Sequence, residues 1–138
     1  TVQMTAPSAF TLPKEERLCS KKLIETLFAG GRSRSMSDFP LRVVYMVKDR
    51  DGVEPMTQML VSVPKRYFKR AVKRNRVKRQ VREAYRHNRQ TVLDRLREKE
   101  AYDKAVVMAF IWLDDKLYPS EVVSEKVARL LTRVSEKL

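Results

Sequence analysis

Asn75, Arg79, Arg82 and Arg86 are spaced by four, three and four residues. At about 100° per residue they fall within about 40° of one line on a helix, on the side opposite Val77. A planar guanidinium takes two phosphate oxygens at once, or stacks on an unpaired base. A row of them suits a sugar–phosphate backbone. Lys78 and Arg89 flank the row. All six lie in Pro64–Arg89, which holds 12 of the chain's 30 basic residues and one acid, Glu83. That stretch carries +11 of the formal net charge of +13. A nearly neutral chain with one concentrated cationic element is built to hold a polyanion. Acids are too few there for i, i+4 pairing to neutralise the ridge, so the counter-charge is expected from outside.

Other chemistry finds little support. His87 is the only histidine; it falls beside the ridge with no evident partner. Asp49 and Asp51 flank one turn and Asp114-Asp115 sit in another, and turn formation accounts for both pairs. No catalytic residue and no protein-held metal is therefore assigned. The single cysteine, Cys19, excludes an internal disulfide framework and reads as a small apolar residue in a helix. A reducing cytoplasm is the simplest compartment. No apolar run approaches the roughly 20 residues of a membrane span. The opening TVQMTAPSAF lacks a signal-peptide layout, so no membrane association is expected.

The elements that position the ridge follow from local pattern. Residues 1–13 read as a flexible arm and 14–138 as one domain. Ser20 is a plausible N-cap for a helix whose Leu23, Ile24, Leu27 and Phe28 share a face, and Gly30-Gly31 ends it. Arg32–Asp38 reads as a polar loop. Leu41–Val47 and Thr57–Val63 read as strands, joined across Asp51-Gly52, a hairpin signal. Val77, Val81, Ala84 and Tyr85 form an apolar keel under the ridge, on a helical stretch continuing to about Glu100. Lys104–Trp112 is almost wholly apolar, as in a strand covered on both faces. A last helix starts near Ser120 and buries Val123, Val127, Leu130, Leu131 and Val134. The expected architecture is α+β: a two-layer sandwich of a small sheet and helices, with a βαβ crossover through the basic helix. The wheel carries one misfit. It puts Arg70 and Arg74 on the keel side and Val72 on the polar side. An irregular lead-in over Lys69–Arg74 is expected, with the helix starting near Asn75.

The run Phe68–Arg82, FKRAVKRNRVKRQVR, closely resembles the signature of the bacterial ribonuclease P protein subunit. Arg74-Asn75-Arg76 is its core, with Ala71 three residues before and Lys78-Arg79 just after. The preceding LVSVPKR is similar to the family's strand leading to a Lys-Lys pair, with Arg66 in place of the second lysine. The order of elements matches as well. The resemblance implies the ribosomal-protein-like fold of that family, with a left-handed crossover where a right-handed one is the rule. It implies RNA contact by Lys65, Arg66, Arg70, Lys73, Arg74, Asn75, Arg76, Lys78, Arg79, Arg82 and Arg86. It further implies two partners, ribonuclease P RNA and precursor tRNA, in an endonuclease that matures tRNA 5′ ends. The RNA would perform the hydrolysis with Mg²⁺. The 5′ leader would lie in a cleft between the first helix and the sheet, with Phe28, Ile24 and either Val44 or Tyr45 as its contacts. Phe39 is a further aromatic available to a leader. No obligate protein partner is evident. Two other readings share the charge: a structural ribosomal-RNA binder, and a duplex-DNA binder with the helix in a major groove.

Overall fold

The computed structural model describes residues 16–18, 20–50 and 52–138. The arm expected over 1–13, Cys19 and Asp51 lie outside the described residues. Helix α1 spans Lys21–Ala29. Ser20 caps it, its Oγ accepting from the Leu23 N–H at 3.3 Å. The chain leaves through Gly30 at φ 85°, a left-handed turn that glycine adopts without a Cβ clash. Strands β1 (Arg34–Asp38), β2 (Leu41–Asp49) and β3 (Thr57–Ser62) follow. Then come helices α2 (Ala71–Asn88) and α3 (Gln90–Glu98), strand β4 (Lys104–Trp112) and helix α4 (Ser120–Lys137).

The strands form one sheet in the order β1-β2-β4-β3. β4 runs parallel to β3 and antiparallel to β2, so β3, the basic helix and β4 make the expected βαβ unit. The Asp51-Gly52 signal proves misleading, because β2 and β3 are not neighbours. β4 lies between them. Its apolar run Ala105–Trp112 is stable only where both faces and both edges are covered, and the centre of the sheet provides that.

β2 instead forms a hairpin with β1, in the stretch expected to be a loop. β1 buries little of its own. It is held by its ladder to β2 and by three basic side chains from α4. Asp38 accepts from Arg129 Nη1 at 2.7 Å and from Lys126 Nζ at 3.3 Å. Arg133 Nη1 donates to the Ser37 carbonyl at 3.2 Å. The long basic helix is interrupted at Arg89, where a tight turn bonds the Val92 N–H to the Arg89 carbonyl at 3.0 Å.

Alternation along the strands gives the sheet two different faces. Val43, Tyr45, Met59, Val61, Val106, Met108, Phe110 and Trp112 pack under α2, α3 and α4. The keel predicted from the wheel is buried as drawn: Val77, Val81, Ala84 and Tyr85. Tyr85 meets Phe110 edge to face at 6.2 Å. From α4 come Val123, Val127, Leu130, Leu131 and Val134. The other face, with Val44, Met46, Val107 and Ala109, packs under Leu18 and Leu27. The nine residues of α1 cover only part of it. Among the described residues no helix is long and apolar enough to cross a membrane.

This packing predicts a sharp contrast. Leu130→Ala, at a fully buried site, should lose about 2–5 kcal/mol in denaturant unfolding. Val72→Ala should change stability by no more than about 0.5 kcal/mol, because Val72 is 79% exposed despite its apolar side chain. Equal losses would place the keel on the wrong face.

Candidate nucleic-acid interface

The basic helix starts earlier than its apolar pattern suggests. Arg70 is the N-cap, with extended backbone at φ −84° and ψ 132°, and Ala71 begins the helix. The irregular lead-in therefore covers only Lys69 and Arg70, and the expected start near Asn75 is corrected by one turn. The wheel misfit has a physical cause. The core under α2 begins at Val77, so the first turn projects past it. Arg74 lies on the keel side but has no core to enter. Its Nη1 turns back and donates to the carbonyls of Phe68 at 2.7 Å and Lys69 at 2.8 Å. Val72 points to solvent for the same reason. Phe68, buried, anchors the lead-in below. Arg66 lies over the Tyr67 ring, 4.9 Å from its centroid.

Lys65, Lys69, Arg70, Lys73, Asn75, Arg76 and Arg79 are exposed. Among the described residues none of these cations forms an ion pair. The first turn of α2 carries no acid. Its free N–H groups add to the positive field where the exposed cations crowd. Lys78 and Arg82 are half-buried. Burial lowers the Arg82 pKa, and repulsion from Arg17 adds to the effect.

The far end of the ridge behaves differently. Arg86 was expected to continue the row, but its guanidinium is bound to Glu83 at 2.6 Å and its side chain is largely buried. Arg89 is bound to Glu16. The free cationic surface is thus the lead-in plus the first half of α2, not the whole helix. The signal was in the sequence: Glu83, the one acid of the stretch, stands one turn before Arg86. The Arg86 hydrogen bond holds the Glu83 carboxyl below its ordinary range, with the Arg86 and His87 charges assisting against a desolvation penalty. His87 Nε2 lies 3.1 Å from the same carboxylate.

The second predicted surface lies on the α1 face of the sheet. There Phe28, 47% exposed, stands at the rim of a groove of about 390 Å³. Leu27, Val44, Arg42, Ser35 and Ile111 line it as well. Ile24 packs partly buried beside it on the same face. The choice between Val44 and Tyr45 resolves to Val44. Tyr45 is 3% exposed and sits in the core on the opposite face, so its assignment as a leader contact is corrected. One residue along a strand switches faces. Arg42, two residues before Val44, was not among the expected contacts. It faces the groove and donates to Ser35 Oγ at 3.3 Å. Phe39 is exposed at the β1–β2 turn, apart from the groove lining.

The acids of the two turns, Asp49 and Asp114, make structural contacts. Asp49 binds Lys104 at 2.7 Å. Asp114 accepts from the Tyr118 hydroxyl at 2.5 Å and from the Asp115 N–H at 2.8 Å. Among the described residues no three His, Cys, Asp or Glu side chains converge as metal ligands would. The geometry offers binding: unpaired cations on a rigid helix, and a groove with an aromatic rim.

A family model described as Ribonuclease P matches residues 12–110. The Ribonuclease P protein component of Porphyromonas gingivalis is 42% identical over 132 residues, spanning 96% of this chain and 92% of the relative. That of Chlorobium phaeobacteroides is 33% identical over 129 residues, spanning 90% and 88%. Among solved structures, the RNase P protein of Thermotoga maritima superposes with a TM-score of 0.62 at 21% identity, over 86% of this chain and 96% of that one. The Staphylococcus aureus RNase P protein gives 0.64 at 15% identity, over 86% and 94%. At those identities the structures establish a shared fold.

The Glu83–Arg86 pair makes a pH prediction. A carboxylate with a lowered folded pKa stabilises above its unfolded value and loses that contribution as pH falls through the folded one. Glu83→Gln should therefore be less stable than the wild type at neutral pH, and the gap should close as pH falls below the ordinary 4.5. Unfolding measured at both pH values tests this; a gap independent of pH would remove the pair from the account.

Proposed function

This chain belongs to the ribonuclease P protein family, and we propose that it grips ribonuclease P RNA through the exposed cations of α2 and its lead-in. As a ribonuclease P protein component it is part of an endoribonuclease and supports 5′ maturation of tRNA. The observation that supports the RNA contact is the unneutralised charge. Arg79, Arg76 and Lys73 stand on a helix whose other side is fixed in the core, with no acid among the described residues to occupy them. Folding alone gains nothing from that arrangement; a phosphate backbone supplies the missing charge.

In this reading the groove beside Phe28 receives the single-stranded 5′ leader of precursor tRNA. Phe28 offers a ring for one base, and Arg42 a guanidinium for a phosphate or a base. Ile24 and Val44 supply aliphatic walls, so stacking rests on Phe28 more than on a pair of rings. Hydrolysis belongs to the RNA with Mg²⁺. The described residues bring no carboxylate cluster to either surface, and the cations of α2 repel a divalent ion rather than hold one. The cytoplasm is the expected compartment, where precursor tRNA and the RNA subunit meet. The family match favours this reading over a structural ribosomal-RNA binder.

Four outcomes are expected. Adding the protein to bacterial ribonuclease P RNA at near-physiological Mg²⁺ should stimulate leader cleavage from precursor tRNA; no stimulation would sink the proposal. Arg79→Ala should reduce the log–log salt slope of RNA binding by about 0.7–0.9, the share of one phosphate contact. Arg86→Ala should leave that slope unchanged, since Glu83 already occupies it. Phe28→Ala should weaken binding of precursor tRNA by about 1–3 kcal/mol and spare mature tRNA. Equal losses for both tRNAs would place Phe28 in a structural role.

A further inference from the structure

A second group of cations gathers where β1, β2 and the end of α4 meet, apart from the arginine helix. The start of β1, the far half of β2 and the end of α4 enclose a recess of about 250 Å³. Its lining includes Arg32, Arg34, Tyr45, Val47, Lys137 and Leu138, and among the described residues no Asp or Glu. Tyr45 is 3% exposed, and among the described residues its hydroxyl has no hydrogen-bond partner. A buried phenol normally finds one, because desolvating it unpaired is costly. Arg34 stands directly opposite Tyr45 in the ladder, so both project from the same sheet face.

The three cations are available. Arg34 and Lys137 are exposed and form no ion pair among the described residues. Arg32 spends one Nη2 bond on the Val47 carbonyl at 3.3 Å and keeps its other donors. Asp49 feels the Arg32 charge but is held by Lys104 at 2.7 Å. The Leu138 carbonyl oxygen is taken by Lys99 Nζ. What remains unspent is two guanidinium forks, an ammonium and a phenol, set against the carbonyl end of α4, whose partial negative charge the three cations outweigh.

We propose that the Arg32–Arg34–Lys137 recess, with the Tyr45 hydroxyl beneath it, binds a phosphate-type oxyanion. The donor set fits tetrahedral oxygens, and forked guanidiniums favour them over a point-like halide. The same chemistry comes from an RNA phosphodiester or from inorganic phosphate. The RNA source rests on the function proposed above. It would give the RNA a backbone contact separated from α2 by α4, which packs against both α2 and β1.

The test uses the full chain and two arms. The first titrates inorganic phosphate at constant ionic strength and follows the backbone amide signals of Arg34, Tyr45 and Lys137 by NMR. Saturable shifts are expected in the wild type. Tyr45→Phe should weaken binding about threefold to tenfold, the share of one hydrogen bond, while keeping the fold, because it removes a hydroxyl without a partner. Arg34→Gln with Lys137→Gln should weaken it further. The second arm measures the salt slope of binding to ribonuclease P RNA, which the double variant should reduce by about 0.7–0.9 per lost contact. Both effects together assign the recess to an RNA phosphodiester. Phosphate saturation with an unchanged RNA slope assigns it to inorganic phosphate. Absence of saturable shifts overturns the site whatever the slope does, since the cations would then act only as diffuse charge. A wild type that takes phosphate but ignores the RNA would refute the proposed function and leave the recess standing.

Discussion

The structure depends on one constraint: a helix with too much positive charge must still be nailed to a core. Like charges one turn apart cost a few tenths of a kcal/mol per pair. The keel outweighs them. Fully burying a side chain the size of Val is worth about 1.5–3 kcal/mol, an upper figure for a compact unfolded chain. Val77, Val81 and Tyr85 are all fully buried. The helix is therefore held in place by its apolar side whatever its polar side does, and the cations are free to serve a partner. Where the keel gives out, before Val77, the chain needs another device. Arg74 supplies it by tying the helix back to the carbonyls of Phe68 and Lys69.

The sheet keeps two surfaces apart. β4 is central and apolar on both faces, so it joins the two cores while separating what lies above from what lies below. The arginine helix belongs to the face packed by α2, α3 and α4. The Phe28 groove belongs to the face that the short α1 leaves partly open. In the proposed function one small chain would hold two RNA segments without their meeting: a phosphate backbone on α2 and a single strand along the sheet. The charge is also managed within α2 itself. Glu83 and Glu16 neutralise the end of the helix that is folded against the body, and none of the described acids reaches the other end.

Much of this was legible in the sequence where one element buries one face. The four keel residues, the apolar stripe of α4, the Ser20 cap and the fully covered β4 all follow from local period or local chemistry. What was not legible depended on partners distant in sequence. β1 looks like a loop because RSMSD has almost nothing to bury; its order comes from β2 and from Lys126, Arg129 and Arg133. The β2–β3 hairpin was suggested by a turn signal, but β4 intervenes. Val44 and Tyr45 stay interchangeable in the sequence because a strand's face is set by register, which one residue of ambiguity reverses. Arg86 was counted as free because a wheel shows direction and not pairing. The start of α2 was missed because apolar period marks where a helix is buried, not where it begins.

Arginine-selective chemical modification, read residue by residue by mass spectrometry with and without ribonuclease P RNA, tests the central claim most directly. The account predicts that RNA protects Arg76 and Arg79 strongly. Arg86, already bound to Glu83, should react slowly in both states. Unchanged reactivity of Arg76 and Arg79 in an RNA complex that has formed would contradict it, and the exposed half of α2 would then be facing solvent.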